Sequence, residues 1–554
     1  MAVAAPWRAF PFSWPRPRMR EISHSCACSS ATLLQIEDSS EANRAAVAAE
    51  SEEQPAKKVP FFPKRGQELE LVCESLAFKG QGVCKVLETG YVVMCDRALP
   101  GERLIARITK RKGSYAEALK LRTIVTHDNA VTPPCKYAES CGGCRTQNLS
   151  YEAQLAAKED QVHQLISRVG RFGRSEESGS GSYLKPIFPC ANQYHYRNKM
   201  EFSFGTRWLP PNEFVKNQSP DIKEDFALGL HVPGSYDKIL DIRECLLQHD
   251  VANQILLDVH TFCETHRNDL SAYDTKTHSG FLRHLTLRSG HDEHTGKLQV
   301  MVNIVTSVHH PRMIKPLIEK LVTYSEVTSI VNNVTSSMAN TGVGEKQYLL
   351  YGAPAITERL RGLVFEISAN SFFQTNTSQA EVLYEVVEKA CNLTEASSEM
   401  NMLDLFCGTG TIGLSMANKV NHVYGYELVQ EAVANARRNA NRNNILNATF
   451  IQGDLNKLTS GFGGNFPRPD IIITDPNRPG MHPKLLQFIL KSGAARVVYV
   501  SCNPATCARD LDVLCHSKDG SDLAGGYRLL SVQPIDMFPH TPHVECVCAL
   551  ELSN

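Results

Sequence analysis

Between residues 66 and 124 the chain alternates apolar and polar residues in short runs, GQELELVCESLAF, GQGVCKVL, GYVVMC and ERLIARITKRKG, separated by glycines and by the turn Leu99-Pro100-Gly101. Period-two alternation interrupted this often predicts a small five-stranded β-barrel. A helical pattern follows from Tyr151 to Val169, and Gly179 to Ser182 mark a flexible insert. Residues 185 to 365 mix strand-like runs (KMEFSFG, LQVMVNIV, VTSIVNNV) with a helical stretch from Arg312 to Tyr324, predicting a mixed α/β middle domain. From Asn370 onward apolar strands NMLDLFC, HVYGYE, NATFIQG, PDIIITDP, ARVVYVSC and YRLLSVQPID are mostly separated by helical stretches. That order predicts an α/β fold whose C-terminal part is a doubly wound, Rossmann-like parallel sheet. The expected parts are 1–62, 63–125, 126–369 and 370–554.

Composition refines this picture at the N-terminus. The first twenty residues carry Arg8, Arg16, Arg18 and Arg20 and no acid, and Ser23, Ser25, Ser29 and Ser30 follow. Arg-rich, Ser-rich and acid-poor is the makeup of an organelle transit peptide, with a plastid favoured over a mitochondrion and an untargeted tail as the alternative. From Glu37 to Lys58 the chain is rich in Ala, Glu and Ser without an aromatic, which predicts a disordered linker. No run approaches the roughly 18 apolar residues of a spanning helix, so no membrane partner is expected. Eighteen cysteines without a secretory signal point to a reducing compartment.

The formal net charge of −1 gives no bulk attraction to nucleic acid, so any RNA contact must use local patches. One candidate comprises Arg103, Arg107, Lys110, Arg111, Lys112, Lys120 and Arg122. A second interleaves aromatics and cations, Tyr194, Tyr196, Arg197, Asn198 and Lys199 with Arg283, His284 and Arg288.

Two loops carry the candidate chemistry. In DLFCGTGTIG, Gly408 and Gly410 predict a turn after a strand where backbone approaches a ligand, and Glu427 ends the next strand, where an acid can bind both hydroxyls of an adenosine ribose. With Gly413 the glycine spacing alone also admits a dinucleotide. Near the C-terminus Cys502 follows the strand RVVYVS and Glu545 opens VECVCAL. A thiolate adding to C6 of a pyrimidine makes C5 a carbon nucleophile able to take a methyl group, after which a base must remove the C5 proton. Cys502 fits the nucleophile and Glu545 the base; His540 and His543 are rival bases.

These strings, with FFQTN at 372 to 376, YGYE at 424 to 427, DPNRPG at 475 to 480 and YVSCNPATCARD around Cys502, resemble the RNA uracil-C5 methyltransferase family from about residue 63 to the end. The resemblance implies S-adenosyl-L-methionine (SAM) as cofactor. It implies Gln374, Phe406, Glu427 and Asp475 as residues that contact SAM, with Asp454 and Thr411 beside them, and Cys502 and Glu545 as the catalytic pair. Asn477 and Pro479 depart from the usual residues of the DPNRPG loop. The barrel spacing resembles the RNA-handling TRAM module. Cys135, Cys141 and Cys144, in a C-x5-C-x2-C arrangement, with Cys245 resemble the [4Fe-4S] ligands of the ribosomal-RNA branch; zinc is the alternative metal and Cys190 a rival fourth ligand. The implied partner is ribosomal or transfer RNA, with no obligate protein partner evident. A SAM-dependent nitrogen methyltransferase and a non-catalytic RNA-binding iron-sulfur protein are the competing readings.

Overall fold

A computed structural model describes residues 61–553 except 78–79, 174–182, 209–225, 234, 339–341, 459–461 and 517–525. The transit peptide and nearly all of the linker expected over 1–62, and the insert at Gly179, lie outside the described residues. Among the described residues no helix is long and apolar enough to cross a membrane.

Alternation closes the first five strands on themselves. β1 (Glu68–Leu76), β2 (Gln81–Val86), β3 (Val92–Asp96), β4 (Arg103–Arg111) and β5 (Ala116–Val125) form a closed barrel in the order β1-β2-β3-β5-β4. Its interior takes every second side chain, among them Leu71, Cys73, Val93, Leu104 and Ile108. The same alternation turns the expected basic patch outward, where acids partly neutralise it. Arg103 pairs with Glu70 at 2.6 Å and Arg107 with Glu68 at 2.7 Å on this outer face, whereas Lys120 turns in to the buried Glu102 at 2.7 Å.

After α1 (Tyr151–Arg168), capped by the Ser150 hydroxyl, seven strands build the middle sheet. They are β6 (Lys199–Arg207), β7 (Ala227–His231), β8 (Lys238–Asp241), β9 (Leu282–His291), β10 (Leu298–Thr306), β11 (Val327–Val334) and β12 (Lys346–Gly352), in the order β12-β11-β10-β9-β6-β7-β8. The helices α2 (Asp250–Thr265) and α3 (Pro311–Leu321) share its core. Half of the expected aromatic-cation RNA surface is corrected here, because Tyr196, Arg283, His284 and Arg288 are buried, while Tyr194, Arg197, Asn198 and Lys199 stay partly exposed. Tyr196 donates to the Pro539 carbonyl, Arg283 lies 4.0 Å over the Tyr273 ring, and Arg288 donates to the Ser371 carbonyl. These side chains satisfy polar groups within the fold and cannot stack on bases.

A hairpin of β13 (Ala355–Leu360) and β14 (Leu363–Ser368) leads to the C-terminal sheet. Its strands are β15 (Asn401–Leu405), β16 (His422–Glu427), β17 (Ala448–Gln452), β18 (Ile471–Thr474), β19 (Arg496–Ser501), β20 (Tyr527–Ile535) and β21 (Glu545–Leu552). Helices α4 (Thr377–Cys391), α5 (Thr411–Met416), α6 (Gln430–Arg442), α7 (Pro483–Ser492) and α8 (Pro504–Cys515) precede or join them. The order is β17-β16-β15-β18-β19-β21-β20, with the first five strands parallel. β21 inserts between β19 and β20 and runs antiparallel to both. The predicted doubly wound sheet is present, and its last two strands depart from a purely parallel arrangement. The five parallel strands end on one edge, and β21 begins there.

An acid inside the apolar strand β15 shapes this edge. Asp404 is fully buried, and its Oδ2 accepts the Gly413 amide at 3.0 Å, tying α5 back to the strand it follows. Burial pushes its carboxyl up to about 7, reinforced by the charges of Asp475 and Glu427. A folded-state value above the ordinary one means the folded protein holds this proton more tightly than the unfolded chain. The stabilisation is therefore complete below about pH 4 and is lost as pH rises through about 7. Asp404→Asn, which keeps an acceptor for Gly413, is expected to gain stability over wild type progressively across that window, to a ceiling of about 4 kcal/mol above it. Denaturant melts at pH 5 and pH 8 check this; parallel pH dependence of the two proteins would mean that Asp404 does not hold the proton.

Candidate active site

Register explains why two residues 43 positions apart meet. β19 and β21 pair antiparallel from Arg496↔Glu551 to Ser501↔Cys546, so Cys502 and Glu545 occupy the next step of the same ladder. On the other side of β21, Ile535 lies opposite Glu545. Directly opposed residues lie roughly 4.5–5.5 Å apart at Cα, so the sheet itself brings the thiol to the carboxyl. Asn503 then caps α8, its Oδ1 accepting the Ala505 amide at 3.2 Å, and Cys502, between the end of β19 at Ser501 and this cap, is partly exposed.

The loop after β18 brings the charges of Asp475 and Arg478 to this pair. Its backbone is fixed from α8: Asn503 Nδ2 donates to the Arg478 carbonyl at 2.8 Å and Thr506 Oγ1 to the same oxygen at 3.0 Å. Burial raises the Cys502 thiol to about 11, helped by the charges of Glu545 and Asp475 and opposed by Arg478. Glu545 is raised well above the ordinary carboxyl range, first by burial and then by Asp475, with Arg478 again opposing. Asp475 is raised to about 7 by burial. Three proton-holding groups and one guanidinium therefore share a single site. The rival bases His540 and His543 are weak ones here, because burial lowers both to about 4 and a neutral imidazole with so low a value takes up a proton poorly.

The adjoining parallel strand ends form a second half-site. Phe406 adopts φ +63° at the end of β15, and Gly408 and Gly410 follow at +55° and +80°. At Gly410 a Cβ would sit 2.9 Å from Phe450, so glycine is required for both conformation and space. Glu427 Oε2 accepts the Gly408 amide at 3.1 Å and its Oε1 the Val429 amide at 2.8 Å, which anchors the carboxylate beside the glycine loop. Thr411 Oγ1 lies 2.7 Å from the buried Tyr384 hydroxyl, and Tyr384 in turn feels Asp475, Asp404 and Glu545. The carbonyl of Gln374 accepts from Asn198 Nδ2 at 2.9 Å, holding the FFQTN segment against the middle domain just ahead of α4. Asp454 stands apart: its carboxylate accepts the Asn456 amide and pairs with Lys457 at 3.3 Å, as a turn residue does.

The cysteine segment makes a separate cavity of about 200 Å³ lined by Cys135, Cys141, Cys144 and Cys245, with Arg197, Glu244 and Thr541 beside them. Cys190 lies elsewhere, its Sγ accepting from Asn376 Nδ2 at 3.4 Å. Burial raises the Cys144 thiol to about 12 and the Cys245 thiol to about 11. Among the described residues no group of three or more His, Cys, Asp or Glu side chains is placed to hold a metal ion.

Asp404, Tyr384 and Arg478 received no role from the sequence. The signal for Asp404 was legible, since an acid in the middle of NMLDLF is disfavoured in a buried strand unless it is used. Tyr384 and Arg478 carried no such signal, because only the fold brings them to the carboxyl groups.

Comparison with known proteins bears on this geometry. The family model of tRNA (Uracil-5-)-methyltransferase matches residues 341–553. An uncharacterized RNA methyltransferase of Chlorobaculum tepidum is 38% identical over 494 residues, covering 88% of this chain and 97% of that protein. Another, of Bacteroides thetaiotaomicron, is 36% identical over 483 residues, covering 86% and 100%. The crystal structure of the Pyrococcus abyssi tRNA (uracil-54, C5)-methyltransferase in complex with S-adenosyl-L-homocysteine superimposes with a TM-score of 0.64 at 27% identity, covering 87% of this chain and 99% of that one. With relatives of 36–38% identity covered over nearly their whole length, the chain belongs to the SAM-dependent RNA methyltransferases of the uracil-C5 family.

Proposed function

We propose that this protein methylates C5 of a uridine in RNA through a covalent adduct, with Cys502 as nucleophile and Glu545 as base. The observation that carries the reading is the β19–β21 register, which sets the two residues opposite one another at the edge where the cofactor-binding strands end. Cys502 Sγ bonds to C6 of the base, and the electrons of the C5=C6 bond move into an enolate. C5 would then take the methyl from SAM as the sulfonium S–CH3 bond breaks and S-adenosyl-L-homocysteine leaves. Glu545 removes the C5 proton, the C5=C6 bond re-forms and the Cys502 thiolate leaves. Glu427, the glycine loop and Phe406 would bind the cofactor, with Gln374, Thr411 and Asp475 around it. Asp454, already engaged by its own turn, is the weakest member of that set.

Electrostatics define the conditions for this chemistry. A thiol held up at about 11 attacks only after losing its proton, and the charge of Arg478 favours the thiolate. Glu545, once ionised in the same buried site, is a strong base for the same reason that it holds its proton tightly. The thiol must deprotonate before it attacks, so the single-turnover rate of methyl transfer is expected to rise steadily from pH 6 to pH 9; a flat profile would exclude Cys502 as the titrating nucleophile.

We further propose that Cys135, Cys141, Cys144 and Cys245 would hold a [4Fe-4S] cluster. The four thiols line one cavity, and the resemblance of their spacing to the ribosomal-RNA branch favours the cluster over zinc. Their resemblance to the ribosomal-RNA branch favours ribosomal over transfer RNA as substrate, and the N-terminal composition favours delivery to a plastid. Iron and sulfide in the anaerobically purified protein are expected to fall sharply in Cys245→Ser and persist in Cys190→Ser; stoichiometric zinc would instead support the structural-metal alternative.

The central test uses labelled SAM and organelle RNA. Wild type is expected to yield labelled 5-methyluridine, Cys502→Ala none, and Glu545→Gln a covalent protein-RNA band that survives a denaturing gel. Label on another nucleoside, or undiminished product from Cys502→Ala, would overturn the assignment; RNA binding without any product would favour the non-catalytic reading.

A further inference from the structure

The loop Asp536–Val544 joins β20 to β21 and ends at Glu545. It has no helix or strand of its own, and most of its anchors come from outside the C-terminal sheet. Those anchors trace to an anomaly in α1. The buried positions of this helix are Gln154, Lys158, Val162 and Ile166, spaced four apart along one face. The second pair is apolar and joins the core beside β19 and α8. The first pair is an amide and an ammonium at core positions, 1% and 5% exposed. Burying such groups costs several kcal/mol unless each finds partners, and here those partners lie chiefly in the one loop.

Lys158 Nζ donates to Asp536 Oδ1 at 2.6 Å and to the Phe538 carbonyl at 3.2 Å. The Tyr151 hydroxyl donates to Asp536 Oδ2 at 2.9 Å, so both carboxylate oxygens are held from α1. Gln154 grips the loop further along. Its Oε1 accepts the His540 amide at 3.0 Å and the Thr146 hydroxyl at 3.2 Å. That fixes the orientation of the side-chain amide, so Nε2 donates to His540 Nδ1 at 3.2 Å and to the Leu149 carbonyl at 2.8 Å. The His540 carbonyl is taken by the amides of Arg145 at 2.9 Å and Thr146 at 3.2 Å, and its ring stacks on Tyr194 at 4.5 Å. His540 sits at φ +67°, a conformation unfavourable for a residue with a Cβ and retained because every polar side of it but one ring nitrogen is held.

We propose that Gln154 and Lys158 are positioning residues for Glu545: from α1 they hold the loop that delivers the base, with His540 as the clamped point of the loop. The proposal rests on the assignment of Glu545 as base. It makes the segment 145–158, outside the methyltransferase sheet, part of the catalytic apparatus. Because Glu545 acts only after the methyl has arrived, a loosened loop spares addition and methyl transfer and slows release.

The test compares wild type, Gln154→Leu and the double variant Lys158→Met/Asp536→Asn, which removes the ion pair without stranding a charge. Single turnovers with labelled SAM are resolved on denaturing gels into adduct and free methylated RNA, and S-adenosyl-L-homocysteine affinity is measured alongside. Expected are cofactor affinity within about 2-fold of wild type, adduct formation within about 3-fold, and release slowed by about 10-fold or more so that adduct accumulates. Equal slowing of both steps, no slowing of either, or loss of cofactor binding in both variants would assign the network to general folding and overturn the proposal. Glu545→Gln is run in parallel. If it traps no adduct, the base assignment itself fails; if it traps adduct while the α1 variants do not, only the positioning role fails.

Discussion

The site depends on one strand running the other way. Five parallel strands can carry ligands only on the loops at their carboxyl ends. By inserting antiparallel between β19 and β20, β21 brings the beginning of a strand to that same edge. A ladder fixes register to the residue, since a slip by one would send every side chain to the opposite face. The register thus sets Glu545, the first residue of β21, opposite Cys502 just past β19, and the loop that leads into Glu545 completes its placement.

Rigidity is combined with a concentration of buried acid. Asp404, Asp475 and Glu545 are all driven toward their protonated forms, and Arg478 is the opposing charge near the thiol. Such an arrangement destabilises the fold at neutral pH relative to an apolar edge, which explains why the elements around it are so heavily fastened. Asp404 holds Gly413, Glu427 holds Gly408, and Asn503 and Thr506 hold the loop of Arg478. Each bond satisfies a backbone group that would otherwise be stranded near the ligand edge.

The middle region has a different part from the one its composition implies. Its interleaved aromatics and cations read as an RNA surface, yet Tyr196 and Arg288 reach inward to the Pro539 and Ser371 carbonyls. Composition does not distinguish a cation facing solvent from one buried against a carbonyl. The barrel shows the same ambiguity in reverse, with arginines outside as expected but matched by glutamates on the neighbouring strand.

Strand and helix alternation, the glycine loop and the Cys502 and Glu545 strings were legible in the sequence because they depend on local patterns: period, turn chemistry, and polar residues where apolar ones belong. Asp404 was equally legible in principle, as an acid within NMLDLF. What the sequence could not determine was which distant segments would meet. The register that opposes Cys502 to Glu545, the union of four cysteines around one cavity, and the grip of Gln154 and Lys158 on the loop before Glu545 all join residues tens to hundreds of positions apart. Such contacts are set by the closure of sheets and the burial of helix faces, and only the tertiary structure decides them.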